Sequence, residues 1–319
     1  EALAAAYIEV IRGWDAHIVV DSFSPYACLA ARALRKKLVA VLQGDFHPAS
    51  RGFIWWKVVP PADGPSAVTT INAVAASYGL APLERVVDLL TGDVDLIAGT
   101  PETDPLPPSA RVTYIGPILG DREPRALPDW LNTMRREKPL IWVYSGNPRY
   151  METPFWSDSV VVIRAAIAAL AHSDVQVVLT TGHQPLPEQV AALPANFHHA
   201  SYVPGLAMAR QSQIMVHHGG HGSLQTGLMA GTPAVIIPTY SERESNARRL
   251  AALGAGEFVL PTLDAEGEKH VNIAEFGAKL NRVLVEPRYR EAAQRVAASM
   301  AQYGGAREAA DRIERLSAA

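Results

Sequence analysis

The chain of 319 residues is 48% hydrophobic, 19% charged and 7% aromatic, and its formal net charge at pH 7 is −3. This apolar content excludes a disordered chain, and the near-neutral charge gives no basic field of the kind that drives binding to nucleic acid. At about 150 residues per domain, the length predicts two domains that each bury a core.

The sequence shows no signal for a membrane or for an oxidising compartment. No apolar run approaches the roughly 18 residues that a membrane-spanning helix needs. Residues 1–10 lack the basic start of a signal peptide, and the single cysteine, Cys28, has no partner for an internal disulfide. We therefore predict a cytoplasmic protein without stable membrane insertion. Because residue 1 is Glu rather than Met, we also expect a segment upstream of the given sequence.

Short β-branched runs alternate with Ala-rich stretches along almost the whole chain, which is typical of parallel strands joined by crossover helices. After a leading helix, the first third predicts strands over 17–21, 38–42, 94–98 and 111–115, and helices over 25–36 and 71–78. The second half predicts strands over 140–144, 175–180, 214–217 and 234–237, and helices over 157–171, 223–230, 242–252 and from 271 to the C terminus.

Glycine and proline interrupt every regular pattern between the two halves, which indicates a boundary. We predict an α/β fold with two Rossmann-like domains. Residues 1–117 form a partial N-terminal domain, 118–138 a linker, 139–286 a C-terminal domain, and 287–319 the terminal helices.

One glycine-rich segment follows a predicted apolar strand and opens a helix: residues 217–233, HHGGHGSLQTGLMAGTP. Glycines at such a turn let backbone N–H groups approach a ligand, and a helix N-terminus adds partial positive charge, so a phosphate fits there. His218 stands just before the turn, where it can donate a further hydrogen bond to the anion. Open α/β sheets bind ligands beyond the carboxyl ends of their strands, where this turn is predicted to lie.

Two other interpretations of this segment stay open. One is a strand-to-helix turn with no ligand, because short glycine motifs recur by chance. The other is a metal site, in which the glycines would have no role and the usual Cys or acidic ligands are lacking, so we favour a diphosphate. The histidines of such a metal site would be His217, His218 and His221, with His183, His198 or His199.

The segment resembles the donor-binding signature of the family 1 glycosyltransferases, which use nucleotide sugars and have the GT-B fold. The similarity covers residues 216–233, 238–249 and 253–256, and bacterial macrolide and antibiotic glycosyltransferases are the most similar members. Further similarity extends it over most of the chain, with the weakest part between 43 and 66. The resemblance implies two Rossmann-like domains facing across a cleft, with the N-terminal one incomplete here and the terminal helix crossing back to it.

The resemblance also implies roles for individual residues. His218 and the glycine-turn backbone would hold a diphosphate that Asn246 faces, although an Asn in the first turns of a helix is also explained as a cap. His218 is also a predicted catalytic residue, because it would help to stabilise the charge on the leaving diphosphate. Tyr202 would stack on the uracil or thymine base and Val203 would pair with it, although a tyrosine at a strand end is also explained by packing. The predicted donor-binding residues are Gly146, Asn147, Tyr202, Val203, His218, Gly220, Gly222, Ser223, Thr226, Glu242, Arg243 and Asn246.

Two positions of the donor site depart from the family pattern. Thr226 stands where many members have a Glu that holds the ribose hydroxyls, which leaves uridine and thymidine both open. Glu242 and Arg243 stand where the family usually has Asp-Gln to hold the sugar hydroxyls. Arg243 then either pairs with an acidic sugar or makes an i,i+4 contact on the surface of a charged helix.

A third departure concerns the catalytic base. Inverting transfer needs a group that removes the proton of the acceptor hydroxyl, normally a His that is neutral near pH 7. Asp21 resembles the acid that orients this His, although a strand-end acid that caps the next helix is an equal alternative. The His itself has no counterpart in the given sequence. The predicted acceptor contacts are His47, Trp55 and Trp56, with packing as the alternative for the two tryptophans.

Three hypotheses follow. The first is an inverting glycosyltransferase that moves a sugar from a UDP- or dTDP-sugar to a hydroxyl of a small lipophilic acceptor, without a metal or other cofactor. In this hypothesis the activity of the given chain stays open, because the segment with the usual catalytic His is absent. The second is a nucleotide-sugar-binding protein without transfer activity. The third is a nucleotide-sugar epimerase of the same fold.

Overall fold

The computed structural model describes residues 1–52, 66–120, 126–134, 137–146, 156–190 and 192–318. The chain separates into two compact units, each built on a parallel sheet with helices, so the predicted α/β class is confirmed. The first unit comprises Glu1–Ile118 with Gln302–Ala319, and the second comprises Leu119–Ala301.

The first unit has four parallel strands, which pair in chain order. They are β1 (Ile18–Asp21), β2 (Lys37–Leu42), β3 (Val94–Ile97) and β4 (Thr113–Tyr114). Its helices are α1 (Ala2–Gly13), α2 (Pro25–Ala33), α3 (Val68–Ser77) and α10 (Gly305–Ala318), with short 3-10 turns at Gly44–Phe46 and Val86–Leu90.

The strand β2 shows why this sheet is covered on both faces. Alternate side chains of a strand point to opposite faces, and from Leu38 to Leu42 both sets in β2 are apolar. Leu38 and Leu42 pack with the cluster that contains α2, whereas Val39 packs with Ala309 of α10. The last helix of the chain is therefore part of the core of the first unit.

The second unit has six parallel strands: β5 (Leu140–Tyr144), β6 (Gln176–Thr180), β7 (Phe197–Ala200), β8 (Ile214–His217), β9 (Ala234–Ile236) and β10 (Gly256–Phe258). Their order across the sheet is β10-β9-β8-β5-β6-β7. The chain runs outward from β5 to β7 and then resumes at β8 on the other side of β5. The topological switch point of the sheet thus lies between β5 and β8.

Among the described residues, six α-helices, a 3-10 turn at Asp129–Thr133 and one hairpin complete the second unit. The helices are α4 (Trp156–Leu170), α5 (Gly205–Gln211), α6 (His221–Met229), α7 (Ser241–Ala252), α8 (Ile273–Val285) and α9 (Pro287–Met300). The hairpin strands are β11 (Thr262–Leu263) and β12 (Lys269–His270). One face of the sheet packs against Ile163 of α4 and Phe276 of α8, and the other against Leu224 of α6 and Val296 of α9.

The structure differs from the predicted elements at several places. The helix predicted from residue 271 to the C terminus is three helices, because Pro287 has no N–H to continue α8 and the chain bends at Gly305, where φ is +58°. The strands β7 and β10 and the helix α5 were not predicted. Among the residues predicted as a linker, Leu131 packs into the core of the second unit. No helix in the described part of the chain has the length and apolar character that crossing a bilayer requires.

Candidate functional site

The candidate site lies at the switch point of the second sheet. In the β5–β8 register, Tyr144 pairs with His217, so both strands end side by side. The glycine-rich turn follows β8 directly and leads into the N-terminus of α6, whose N-cap residue is Gly220. Gly146 follows β5 in a left-handed conformation with φ of +93°. The sheet therefore brings the two predicted glycine loops together at the place where open α/β sheets bind ligands.

The buried side chain of His217 stabilises the glycine-rich turn. Its side chain is fully buried, and its Nδ1 accepts a hydrogen bond of 3.1 Å from the backbone N–H of Gly219. Burial lowers the pKa of His217 to about 3, with a smaller contribution from the positive charge of Arg243. The ring is therefore neutral near pH 7 and acts as a hydrogen-bond acceptor for the loop.

His218 is the candidate ligand-binding histidine. Its side chain is 7% exposed, and its ring lies edge-on against the ring of Tyr144, with centroids 5.6 Å apart. Burial, Arg243 and His217 all lower its pKa well below the ordinary value, in that order of size. Its Nδ1 is buried without a hydrogen-bond partner. A neutral imidazole with an unpartnered nitrogen can bind a ligand by a hydrogen bond, but it brings no charge of its own.

The glycines around His218 differ in what a side chain at their positions would contact. A Cβ atom at Gly220 would lie 2.6 Å from Nε2 of His218, and one at Gly146 would lie 3.1 Å from the same ring. Gly219 has φ of +92°, and a Cβ there would lie 2.8 Å from the carbonyl oxygen of Arg243. Gly222 differs from these three, because nothing lies within 4 Å of its Cβ position. Three glycines therefore permit close packing, and the fourth leaves open space at the first turn of α6.

Glu242 and Asn246 of α7 hold the glycine turn in position. The Asn246 side-chain amide donates to the carbonyl oxygen of Gly219 (2.8 Å) and to Oε1 of Glu242 (2.6 Å). The same Glu242 oxygen accepts the backbone N–H of His221 at the start of α6 (3.2 Å). Burial raises the pKa of Glu242, against the effect of these hydrogen bonds. The predicted donor residues Glu242 and Asn246 thus hold the loop in position, and their contacts with a donor stay predictions.

Arg243 points towards the turn. Its Nη1 donates to the Thr239 hydroxyl, and its guanidinium carbon lies 4.1 Å from the centroid of the Tyr240 ring. Its Nε is buried without a hydrogen-bond partner. The i,i+4 ion pair of α7 instead joins Glu244 with Arg248 (2.9 Å). Arg243 therefore supplies positive charge beside the two histidines, and its contact over four residues is made with Thr239. Pairing of Arg243 with an acidic sugar stays a prediction.

The predicted alternative of a metal site finds no support in the described part of the chain. No three His, Cys, Asp or Glu side chains there come together in a way that would hold a metal ion. The rings of His217 and His218 are nearly perpendicular, with centroids 6.3 Å apart. His221 instead pairs its Nε2 with the side-chain amide of Gln225 (3.1 Å).

Comparisons with known proteins show what the chain is similar to. Residues 164–316 match the family described as Erythromycin biosynthesis protein CIII-like, C-terminal domain. The 4'-demethylrebeccamycin synthase of Lentzea aerocolonigenes is 28% identical over 212 residues, which are 66% of this chain and 46% of the synthase. The chain thus spans about half the length of the curated relatives that it matches.

Solved structures show the same fold. The spinosyn forosaminyltransferase SpnP covers 99% of this chain with a TM-score of 0.72 at 21% identity, and 80% of SpnP is matched. The glycosyltransferase VinC, solved in complex with dTDP, covers 98% of this chain with a TM-score of 0.69 at 21% identity, and 74% of VinC is matched. The predicted resemblance to GT-B glycosyltransferases related to those of antibiotic biosynthesis is confirmed, and the chain has their fold.

The other predicted donor residues of the second unit lie in the first turns of α6 and in the loop after β7. Ser223 is nearly buried in the first turn of α6. Thr226 donates its hydroxyl hydrogen bond back to the carbonyl oxygen of Gly222 (2.7 Å). Tyr202, after β7, is 41% exposed, whereas the next residue, Val203, is buried. Asn147 lies outside the described residues.

Of the two residues predicted for catalysis, His218 lies in the second unit, whereas Asp21 and the predicted acceptor contacts belong to the first. Asp21 ends β1, and its Oδ2 accepts hydrogen bonds from the backbone N–H of Ser24 (2.8 Å) and from Sγ of Cys28 (3.3 Å). His47 is 7% exposed, its Nδ1 accepts the N–H of Ala49 (3.0 Å), and its Nε2 lies 3.5 Å from Oδ2 of Asp95. The other two acceptor candidates, Trp55 and Trp56, lie outside the described residues.

Two features of the second unit were missed in the sequence. The ring of Tyr144 packs against the ring of His218. The only sequence signal for this contact was the place of Tyr144 at the end of β5, which neighbours β8. His183 was considered only as a metal ligand. In the structure its ring stacks on Tyr202, with centroids 4.2 Å apart and planes 13° apart.

Proposed function

We propose that the protein transfers a sugar from a UDP- or dTDP-sugar to a hydroxyl of a small lipophilic acceptor, with inversion and without a metal cofactor. The observation that carries the proposal is the cradle at the switch point. It combines the N-terminus of α6, the open space at Gly222 and the unpartnered Nδ1 of His218. Helix N-termini with glycine turns bind phosphate groups, and VinC, which shares the fold, was solved with dTDP.

In this proposal the cradle stabilises the charge that develops on the leaving diphosphate. The partial charge of the α6 N-terminus and the guanidinium of Arg243 supply positive charge, and the neutral His218 supplies a hydrogen bond. Because the glycines, Asn246 and Glu242 fix these groups before a ligand arrives, little reorganisation is needed during the reaction. Displacement at the anomeric carbon then breaks its bond to the diphosphate oxygen and forms a bond to the acceptor oxygen, whose proton leaves to a base.

Asp21 is assigned to the proton transfer as the acid that orients the base. It ends β1 at the carboxyl edge of the first sheet, which is the edge where ligands bind in this class of fold. It is nearly buried and already accepts two hydrogen bonds on Oδ2, so its carboxylate is held in one orientation. The cytoplasmic location stays a prediction from the sequence.

Calorimetric titration of the chain with UDP and with dTDP tests donor binding, and product analysis with sugar donors tests transfer. We expect binding, and we expect His218→Ala to lower the single-turnover rate at saturating donor by about 10²-fold, as for the loss of one donor to a developing charge. His172→Ala, at an exposed histidine on the end of α4, is the matched control and should retain the rate.

Three outcomes would contradict the proposal. Failure of the chain to bind UDP and dTDP would remove the role of the cradle. Binding without product in any acceptor mixture would favour a nucleotide-sugar-binding protein. Turnover of the sugar without an acceptor would favour an epimerase.

A further inference from the structure

A cavity of about 550 Å³ lies between helix α4 and the hairpin β11–β12 of the second unit. Its volume falls within the range of about 300–1,000 Å³ that is typical of small-molecule sites. Helix α4 packs on one face of the sheet together with α8, whereas α6, which carries the cradle, packs on the opposite face. None of the cradle residues is among the described residues that line the cavity. The cavity is therefore separate from the cradle.

The floor of the cavity is apolar. Val161, Ala165 and Ala168 of α4 line it at the spacing i, i+4 and i+7, which places them on one face of the helix. Val271 and Ile273, which follow the hairpin, line it as well, and Ile273 keeps 36% of its surface exposed. Two of the α4 positions carry only a methyl group, so their side chains leave this volume open. The apolar body of a ligand gains free energy by covering this surface, because that removes apolar area from water.

Three polar side chains at the cavity have no partner in the part of the chain that the structure describes. Arg164 belongs to α4, Gln189 to the loop after β6 and Glu268 to the turn of the hairpin. None of these side chains makes a hydrogen bond or an ion pair with a described residue. A guanidinium offers only donors, a carboxylate only acceptors and an amide both. A ligand that pairs with all three groups therefore has to donate and to accept hydrogen bonds, as hydroxyl groups do.

The charges at the cavity are balanced. His270 pairs its Nε2 with Oδ2 of Asp264 (2.6 Å), and Nζ of Lys269 donates to a backbone carbonyl oxygen (2.7 Å). The charges on the other two ionisable side chains, Arg164 and Glu268, have opposite sign. The cavity therefore has no excess of one charge that would select an ionic ligand, and its polar groups suit an uncharged ligand with hydroxyl groups.

We propose that this cavity is a second binding site, which takes a small uncharged amphiphile of the lipophilic glycoside class. The apolar body lies against the α4 floor, and the sugar hydroxyls pair with Arg164, Gln189 and Glu268. Binding at this site does not depend on the cradle. A product of the proposed function would belong to the same class of compound, and only that link rests on the proposed function.

The test begins with calorimetric titrations of the chain with three probes. Octyl β-D-glucoside, kept below its micelle concentration, has an apolar body and hydroxyl groups, glucose lacks the apolar body, and octane-1-sulfonate has an anion in place of the sugar. We expect saturable binding of octyl glucoside. Glucose should bind at least about tenfold more weakly, because it lacks the CH₂ groups that leave water on binding. Octane-1-sulfonate should also bind more weakly than octyl glucoside, because it offers Glu268 no donor.

Two variants with matched controls locate the site. Ala168→Trp places a ring in the cavity from an exposed position of α4 and should weaken octyl glucoside binding at least about tenfold, since the ring occupies the place of the octyl chain. Ala298→Trp, at an exposed position of α9, is its control. Arg164→Met removes the guanidinium donors and should weaken binding by about tenfold, whereas Arg210→Met, at an exposed arginine of α5, should not. Both cavity variants should keep the dTDP affinity and the melting temperature of the unmodified chain.

Several results would overturn the inference. Absence of saturable octyl glucoside binding would remove the site, while the proposed function would stand if the chain binds dTDP. Equal affinity for octane-1-sulfonate would show apolar adsorption without recognition of hydroxyl groups. Unchanged octyl glucoside affinity in Ala168→Trp, or in Arg164→Met with its melting temperature retained, would place the bound molecule elsewhere on the chain. If Ala168→Trp lowers the melting temperature, the comparison of Arg164→Met with Arg210→Met decides.

Discussion

Gly220 lies so close to His218 that a Cβ atom at position 220 would approach the imidazole Nε2 to 2.6 Å. The φ of Gly220 is −60°, which any residue can adopt, so the conflict is purely steric. Gly222, two residues later, has open space at its Cβ position. The lack of a side chain at Gly220 therefore lets the His218 ring pack against the turn, whereas the lack of one at Gly222 leaves room for a ligand.

Gly220→Ala should displace the His218 ring and destabilise the chain. Overpacking of this kind lowers the free energy of unfolding by about 1–3 kcal/mol. Gly222→Ala should leave the melting temperature unchanged or slightly higher, because Ala favours a helix over Gly by about 0.5–1 kcal/mol. Both variants should bind dTDP at least tenfold more weakly, the second because its methyl group fills the space next to the helix N-terminus. Retained dTDP affinity in Gly222→Ala would contradict the position proposed for the diphosphate.

Asn246→Ala should reduce both stability and donor binding. The change leaves the buried carbonyl oxygen of Gly219 without its 2.8 Å hydrogen bond, which costs about 1–3 kcal/mol, and it frees the turn. Asn72→Ala is the matched control in the first unit, where Asn72 makes two hydrogen bonds to the backbone of Leu83 (3.0 and 2.8 Å). Denaturation and dTDP titration of both variants separate the effects. The control should lose stability and retain dTDP binding, so equal losses of binding would refute the role of Asn246.

The elements that carry the cradle are predictable because they have strong local signals. The strand β8 is an apolar run, and the glycines that follow it mark the turn into α6. The strand β7 has no such signal, because it lies at the edge of the sheet and its sequence, FHHA, contains two histidines. The predicted strand over 111–115 shortens to Thr113–Tyr114, also at an edge. Edge strands pair on one side only, so their sequences are less constrained.

Contacts between loops are not predictable from these patterns. The stack of His183 on Tyr202 depends on two left-handed residues after β6, and the pairing of His47 with Asp95 depends on how one loop returns to β3. Arg243 looks like a residue of a charged helix in the sequence. In the structure its guanidinium donates to Thr239, which belongs to the loop that precedes α7. Such contacts join residues whose positions are fixed by the tertiary fold, which the local pattern does not encode.

Arg243→Gln should weaken dTDP binding by about tenfold and reduce its dependence on salt. The guanidinium is the cation beside His218, and attraction between it and a diphosphate is screened as ionic strength rises. Arg248→Gln, which removes a cation paired with Glu244 on the same helix, should change dTDP binding little. Titrations at low and high salt measure both effects. If the two variants lose the same affinity, the effect is one of net charge, and Arg243 has no particular role at the site.

Acid should destabilise the chain through the buried histidines of the turn. His217 has its folded-state pKa lowered to about 3, whereas a histidine in an unfolded chain has a pKa of about 6.5. Between these values the unfolded chain binds one more proton per such group, so stability is fully present above about pH 6.5 and falls as the pH decreases towards 3. One proton corresponds to a slope of about 1.4 kcal/mol per pH unit.

His217→Asn should reduce the slope of the unfolding free energy against pH, measured by urea denaturation between pH 6.5 and about 4.5, by up to this amount. His172→Asn, at an exposed histidine, is the control. An unchanged slope in His217→Asn would mean that His217 is not the group whose protonation opposes folding.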